Sequence, residues 1–124
     1  MLFRSTTMNN ISWNLKLTIN DGQLDNFTAL MTEMVEATSQ EEGCLTYDWY
    51  VMPDGSEVHI QERYADNQAT LVHLGNFGAN YAERFMPCVT VRSFAVYGPA
   101  NDDVRGGLSP LGAVFMDHFG GFNR

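Results

Sequence analysis

A carboxylate, a phenol and an imidazole lie close together in the segment from Gly43 to His73. Glu62 and Tyr64 are two positions apart, and His73 follows them. A histidine exchanges protons near neutral pH, and burial changes the proton affinity of a carboxyl group. The types and spacing of these residues therefore predict a site that moves protons to or from a small molecule.

The sequence around these residues predicts the elements that position them. Residues 44–51 and 58–64 alternate between apolar and polar, which is typical of strands, and Pro53-Asp54-Gly55-Ser56 predicts the turn between them. Four residues share one face of the second strand: Val58, Ile60, Glu62 and Tyr64. A helix carrying His73 begins near Asn67, and Gly75 and Gly78 predict that it is interrupted.

Two of these candidates also have purely structural interpretations. His73 is either a proton-transfer group in a pocket or a half-buried histidine that bonds a backbone carbonyl. Glu62 lies in line with aliphatic residues, where an unpaired carboxylate is costly. It is therefore a base or substrate anchor, or it forms an ion pair with Arg84 or Arg92, or it lies at a sheet edge in water.

Other residues are candidates for substrate binding. Tyr64 and Trp49 are suited to stacking on a flat aromatic ring, although a tryptophan on an alternating strand is more often part of the core. Asn14 is a candidate hydrogen-bond donor. Asn14 and Trp13 point to opposite faces of the first strand, so they cannot both line one pocket.

The full order of elements predicts the fold class. Alternating or helical apolar patterns give strand, helix, strand, strand, helix, strand, which is an α+β ferredoxin-like βαββαβ fold with a four-stranded antiparallel sheet and both helices on one face. We expect one domain over residues 1–124, with a core at about 11–98 and a C-terminal extension at 99–124. The fourth strand, residues 89–97, has apolar residues on both faces, so we expect the open sheet face to be covered in a homodimer.

Composition excludes several other functions. The chain has 124 residues and a net charge of −8, which argues against binding to nucleic acid or an anionic membrane surface. Two cysteines are too few for a disulfide scaffold or thiolate zinc site, and no His, Cys or acidic spacing predicts a metal. No segment resembles a signal peptide or a membrane span, so we expect a cytoplasmic protein.

The same segment resembles the antibiotic biosynthesis monooxygenase (ABM-like) family. The residues that carry the resemblance are Gly43, Leu45, Tyr47, Glu62, Tyr64, Asp66, Ala69 and His73. The resemblance implies a dimeric α/β barrel and a monooxygenase that oxidises a phenol, quinol or anthrone with O₂, without a metal, flavin or other cofactor. His73 or Glu62 would then accept the proton, with Tyr64, Trp49 and Asn14 binding the small aromatic substrate.

Two alternatives remain within this family. One is a module of the same fold that binds a small ligand without converting it. The other is a haem-binding or haem-degrading protein that uses His73. The haem-degrading branch has a tryptophan on its third strand, where this chain has Tyr64, which argues against that activity.

Overall fold

The computed structural model describes residues 6–124, and its order of elements confirms the predicted fold. The strands are β1 (Ile11–Ile19), β2 (Cys44–Val51), β3 (Val58–Tyr64), β4 (Val89–Tyr97) and β5 (Val114–Met116), and the helices are α1 (Leu24–Thr38), α2 (Asn67–Asn80), α3 (Ala82–Phe85) and α4 (Asp102–Leu108). Residues 11–97 therefore follow the βαββαβ order, with the short α3 added after α2.

The sheet has five strands in the order β2-β3-β1-β4-β5. The first four are antiparallel to their neighbours, as predicted. The prediction of a four-stranded sheet is wrong by one strand, because β5 from the C-terminal extension pairs in parallel with the edge of β4. This addition protects the edge of β4 from other pairing.

The core lies between one face of the sheet and the helices. The amphipathic pattern of α1 buries Phe27, Leu30 and Met34 against Leu17 of β1 and neighbouring residues of β3 and β4. A second cluster joins Trp13 and Phe94 to Val104 and Leu108 of α4. The C-terminal extension is therefore part of the core.

Helix α2 is continuous, contrary to the predicted interruption. It runs through Gly75 and Gly78 to Asn80, and Asp66 caps its N-terminus by accepting a hydrogen bond from the backbone N–H of Ala69 at 2.8 Å. A glycine in a helix costs only about 1 kcal/mol relative to alanine, and tertiary packing outweighs that cost here.

Strand β4 contains a bulge that explains its apparent two-sided apolar pattern. Leu17 pairs with Val91, whereas the adjacent Lys16 pairs with Ser93, so Arg92 is the additional residue. The bulge puts Val91 and Phe94 on the helix side although they are three positions apart. The outward residues are the exposed Thr90 and Ser93 together with Ala95 and Tyr97, so the prediction of an apolar outer face holds only for the last residues of β4.

Within residues 6–124, none of the helices combines the length and the apolar content needed to cross a bilayer.

Candidate active site

Glu62 lies on the helix-facing side of β3, where the alternation of the strand places it. The side chain is 6% exposed. Its Oε1 accepts a hydrogen bond of 2.6 Å from the hydroxyl of Tyr64, and the indole of Trp13 also donates to the carboxylate. Two neutral donors therefore stabilise a carboxyl group that has almost no contact with solvent.

His73 bridges this carboxyl group to a second one. Its Nε2 lies 3.4 Å from Oε1 of Glu62, and its Nδ1 lies 3.1 Å from Oε1 of Glu41 in the α1–β2 connection. The imidazole is buried, and Tyr64 and Tyr47 lie against it with ring centroids 5.0 and 5.4 Å away. The result is a continuous chain of titratable groups from Tyr64 to Glu41.

The surroundings of Glu62 favour its protonated form. Burial raises the pKa of the carboxyl group, while His73 and the hydrogen bonds from Tyr64 and Trp13 lower it and Glu41 raises it further. Burial is the largest of these effects. A carboxyl group with a raised pKa is a stronger base when it is ionised, which suits proton abstraction near neutral pH.

Glu62 and His73 face a partly open, mainly apolar cavity of about 50 Å³. Its walls come from the sheet, the helices and the segments that connect them: Trp13, Leu15, Met34, Tyr47, Ile60, Leu74, Phe77, Phe85, Met86, Val91, Phe94, Leu108 and Leu111. A small number of polar groups in an apolar wall is typical of a small-molecule site, but such sites have volumes of about 300–1,000 Å³. An aromatic substrate therefore has to displace some of the side chains that line this cavity. The C-terminal extension contributes Leu108 and Leu111 to this wall.

A bulge in β2 brings Tyr47 to this cavity. Cys44 pairs with Tyr64, and Thr46 pairs with Arg63, so Leu45 is the additional residue. Leu45 is exposed, although strict alternation along the strand predicts that it shares a face with Tyr47.

Burial raises the pKa of the Cys44 thiol to about 11, which makes this thiol a poor nucleophile.

Two small residues of the family pattern have a packing role. A Cβ on Gly43 would lie 2.4 Å from the Cβ of Ala69. Because real Cβ atoms do not approach so closely, the start of β2 and the first turn of α2 require a glycine opposite a small residue. This close approach sets the distance between His73 on the helix and the strands that carry its partners.

Three of the five predicted site residues lie outside the cavity wall. Tyr64 is one of them: it contacts Glu62 and His73 from within the core. Asn14 is on the opposite face of the sheet, next to Gln61 and Ala95 in register, and its buried Oδ1 has no hydrogen-bond partner. Trp49 packs in the core against Phe27 and Phe85. The structure therefore brings together Glu62, Tyr64 and His73, but neither Asn14 nor Trp49.

The alternative of an ion pair between Glu62 and an arginine is wrong. Arg84 binds Glu33 through both terminal nitrogens, at 2.9 and 3.0 Å. Arg92 donates from Nε to the hydroxyl of Thr18. Both arginines are thus directed away from Glu62.

Sequence reasoning missed two polar contributors, Glu41 and Trp13. Nothing in the sequence distinguishes Glu41 from the adjacent Glu42, because both follow the end of a helix in a polar connection. The alternation of β1 places Trp13 on the helix side with Leu15, and this signal was available. Its hydrogen bond to Glu62 depends on the register in which Trp13 pairs with Glu62.

His73 does not fit the role of a haem ligand. Each ring nitrogen lies within 3.4 Å of a carboxylate oxygen, from Glu41 on one side and Glu62 on the other. An iron ligand needs a nitrogen with a free lone pair directed at the metal. The donor set therefore supports acid–base chemistry and gives no support to haem binding through this residue.

Comparisons with known proteins agree with the resemblance seen in the sequence. The protein named "Putative monooxygenase Rv0793" from Mycobacterium tuberculosis (strain ATCC 25618 / H37Rv) is 40% identical over 48 residues, which are 39% of this chain and 48% of that protein. The chain thus spans about half the length of this curated relative.

Solved structures extend the similarity to the whole fold. MupZ from Pseudomonas fluorescens has a TM-score of 0.80 at 29% identity, with 94% of this chain and 95% of that chain covered. SnoaB, a cofactor-independent oxygenase from Streptomyces nogalater, has a TM-score of 0.62 at 12% identity, with 75% and 95% covered. At that identity, the likeness to SnoaB shows the fold alone.

The family model described as antibiotic biosynthesis monooxygenase matches residues 11–80. This range runs from β1 to the end of α2 and includes Glu62, Tyr64, His73 and Glu41. Because the match covers more than half of the sequence, the chain belongs to the antibiotic biosynthesis monooxygenase family.

Proposed function

We propose that this protein is a monooxygenase that oxidises a phenol, quinol or anthrone with O₂ and uses no metal or flavin. The observation that carries the proposal is the buried pair of Glu62 and His73 at the wall of an apolar cavity. The family membership supports it, and SnoaB is a cofactor-independent oxygenase of the same fold.

The role of the protein in this reaction is to ionise the substrate away from water. Glu62, in its ionised form, takes a proton from the substrate hydroxyl or anthrone carbon, and the electron-rich anion transfers one electron to O₂. The resulting radicals combine to form a peroxide anion, which takes back the proton that the substrate gave up and becomes a hydroperoxide. The hydroperoxide then loses water to give a quinone. One O₂ is consumed and one water is released for each quinone, so no external reductant is needed.

The cavity contributes to this reaction by its apolar walls. Aromatic side chains such as Tyr47, Phe77 and Phe94 suit a flat, uncharged substrate, and the exclusion of water strengthens the interaction of the anion with nearby charges and dipoles. Burial raises the pKa of Glu62, so its ionised carboxylate is a stronger base than that of an exposed glutamate.

Oxygen uptake tests this proposal. The wild-type protein is mixed with a panel of hydroquinones and anthrones in an oxygen electrode, alongside Glu62→Gln, His73→Gln and the control His59→Gln. His59 lies on β3 and pairs with Glu57 at 2.6 Å, on the face opposite Glu62. We expect uptake above the uncatalysed rate, reduced at least about tenfold in the first two variants and unchanged in the control.

Two outcomes would contradict the proposal. Uptake that is equal in wild type and both site variants would place the chemistry elsewhere. Tight binding of a panel member without any uptake would favour a ligand-binding module of the same fold. Circular dichroism of each variant separates a loss of activity from a loss of structure.

We also propose that the protein is a homodimer, as the family resemblance implies. Exposed apolar residues gather at the β5 edge and the following tail, where Phe119 is 105% exposed and Phe122 is 79% exposed. A second group of exposed apolar residues lies at the opposite edge, at the end of β2 and just after it: Tyr50, Val51 and Met52. A two-fold axis brings the β5 edge of one copy to the β2 edge of the other, which buries both groups twice.

Sedimentation velocity at micromolar concentration tests this arrangement. We expect a dimer for the wild type and a shift toward monomer for Phe119→Ser combined with Phe122→Ser. Leu24→Ser, an exposed position on α1, is the control. A monomeric wild type would overturn the proposal.

A further inference from the structure

Glu41 is the one carboxylate of the site that lies outside the strands and helices. It follows α1 in the connection to β2 and is 11% exposed. Its Oε1 and Oε2 lie 3.1 and 3.3 Å from Nδ1 of His73. Asn76, one turn after His73 on α2, donates a hydrogen bond from Nδ2 to Oε2 of Glu41 at 3.3 Å. Contacts with both His73 and Asn76 therefore fix the position of the Glu41 carboxylate beside the imidazole.

The two nitrogens of His73 therefore have different tasks. Nδ1 faces Glu41, which is at the margin of the site, and Nε2 faces Glu62, which is at the cavity. A carboxylate only accepts hydrogen bonds, so Glu41 favours the form of His73 that carries a proton on Nδ1. In that form Nε2 is left to exchange a proton with Glu62.

We propose that Glu41 is a positioning residue that fixes the proton of His73 on Nδ1, so that Nε2 receives the substrate's proton from Glu62. The part of this inference that concerns the substrate rests on the proposed function, whereas the state of the histidine does not. The bond between Glu62 and the proton breaks as the bond to Nε2 forms. The imidazolium produced then lies between two carboxylates, one on each nitrogen.

The other titratable groups around the ring do not compete with this arrangement. Tyr47 and Tyr64 lie against His73, and burial raises the pKa of both phenols. Both therefore remain neutral near physiological pH. The groups that contact the two ring nitrogens are the carboxyl groups of Glu41 and Glu62.

NMR of the histidine side chains tests the inference without any substrate. Long-range ¹⁵N–¹H correlation spectra identify which ring nitrogen carries a proton, and a His73→Gln sample assigns the signals. We expect Nδ1 of His73 to be protonated in the wild type and in the control Glu42→Gln. In Glu41→Ala we expect the neutral ring to carry its proton on Nε2.

Two NMR results would overturn the proposal: an unprotonated Nδ1 in the wild type, or an Nδ1 proton that persists in Glu41→Ala. Glu42 is a matched control, because it is the adjacent glutamate and is exposed. Glu42→Gln changes the net charge as much as Glu41→Ala does, without touching the histidine.

Kinetics provide a second, independent test. With a substrate that the wild type oxidises, Glu41→Gln is expected to lower kcat between about 10- and 100-fold with KM changed less than about twofold, because the lost charge acts on the imidazolium and not on substrate binding. Glu41→Asp should recover part of kcat, and Glu42→Gln should match the wild type. An unchanged kcat in Glu41→Gln would refute the role in proton transfer.

These experiments separate the two proposals. If the wild type consumes no oxygen with any substrate, the oxygenase proposal fails, yet the NMR spectra still decide whether Glu41 fixes His73. If oxygen is consumed and the spectra show no effect of Glu41, only the positioning role fails.

Discussion

Replacement of Tyr64 by phenylalanine removes one hydroxyl from the most buried part of the site. The side chain is 0% exposed, and the hydroxyl donates to Glu62 at 2.6 Å. Phenylalanine keeps the ring that packs against Trp13 at 5.0 Å. The change therefore isolates the hydrogen bond, and its cost depends on whether Glu62 is charged.

The expected cost follows from the two charge states of Glu62. A hydrogen bond to a neutral acceptor contributes about 0.5–1.5 kcal/mol to the free energy of unfolding, and one to a charged group contributes about 1.5–3 kcal/mol. Tyr64→Phe should thus lose about 1 kcal/mol of stability when Glu62 is protonated and about 2–3 kcal/mol when it is ionised.

The direction of the pH dependence follows from the raised pKa of Glu62. Because the folded-state pKa lies above the unfolded value, the stability that Glu62 contributes is complete below the unfolded pKa and is lost as pH rises through the folded pKa. The hydrogen bond from the Tyr64 hydroxyl lowers the folded-state pKa of Glu62. Removal of this hydroxyl therefore raises the folded-state pKa of Glu62 further. The variant therefore loses more stability than the wild type as pH increases.

Urea denaturation at pH 5.5 and pH 8.5 measures this difference, with both values above the isoelectric point of about 4.6. Tyr50→Phe is the control, since Tyr50 is 55% exposed on β2, and it should change stability by less than about 0.5 kcal/mol at either pH. An equal loss for Tyr64→Phe at both pH values would refute the argument that this hydroxyl favours ionised Glu62.

Three further substitutions test the framework that holds the site. Gly43→Ala should lower the free energy of unfolding by about 1–3 kcal/mol, and adding Ala69→Gly should restore part of it in urea denaturation; no restoration would contradict the close contact of the two residues. Asn101→Ala should cost about 1 kcal/mol, because its side chain accepts a hydrogen bond of 2.9 Å from the backbone N–H of Val104; an unchanged midpoint would mean that α4 does not depend on this cap. Leu108→Ala should cost about 2–5 kcal/mol, since Leu108 is 1% exposed; a loss below about 1 kcal/mol would show that α4 is not part of the core.

The strength of local patterns explains why most of the fold is predictable. The unbroken alternation of residues 11–19 and the helical spacing of residues 24–35 each match one element. The short strand β5 has only three residues, too few for an alternating pattern to be recognised. Its pairing with β4 is decided by the position of the C-terminal extension.

Bulges show where local patterns fail. A single additional residue, Leu45 in β2 or Arg92 in β4, exchanges the faces of all residues on one side of it. The sequence of β4 therefore looks apolar on both faces along its whole length, although Val91, Phe94 and Val96 all point to the helix side. Whether a strand bulges depends on its pairing partner, and this information lies elsewhere in the chain.

The sequence by itself determined the order of elements, the family and the shared face of Glu62 and Tyr64, because these depend on residues close together in the chain. Only the tertiary structure decided that Glu41, and not the adjacent Glu42, contacts His73, and that Asn14 lies on the far side of the sheet from Glu62. Contacts between residues 32 positions apart, such as Glu41 and His73, depend on how helices pack on the sheet, which no local pattern records.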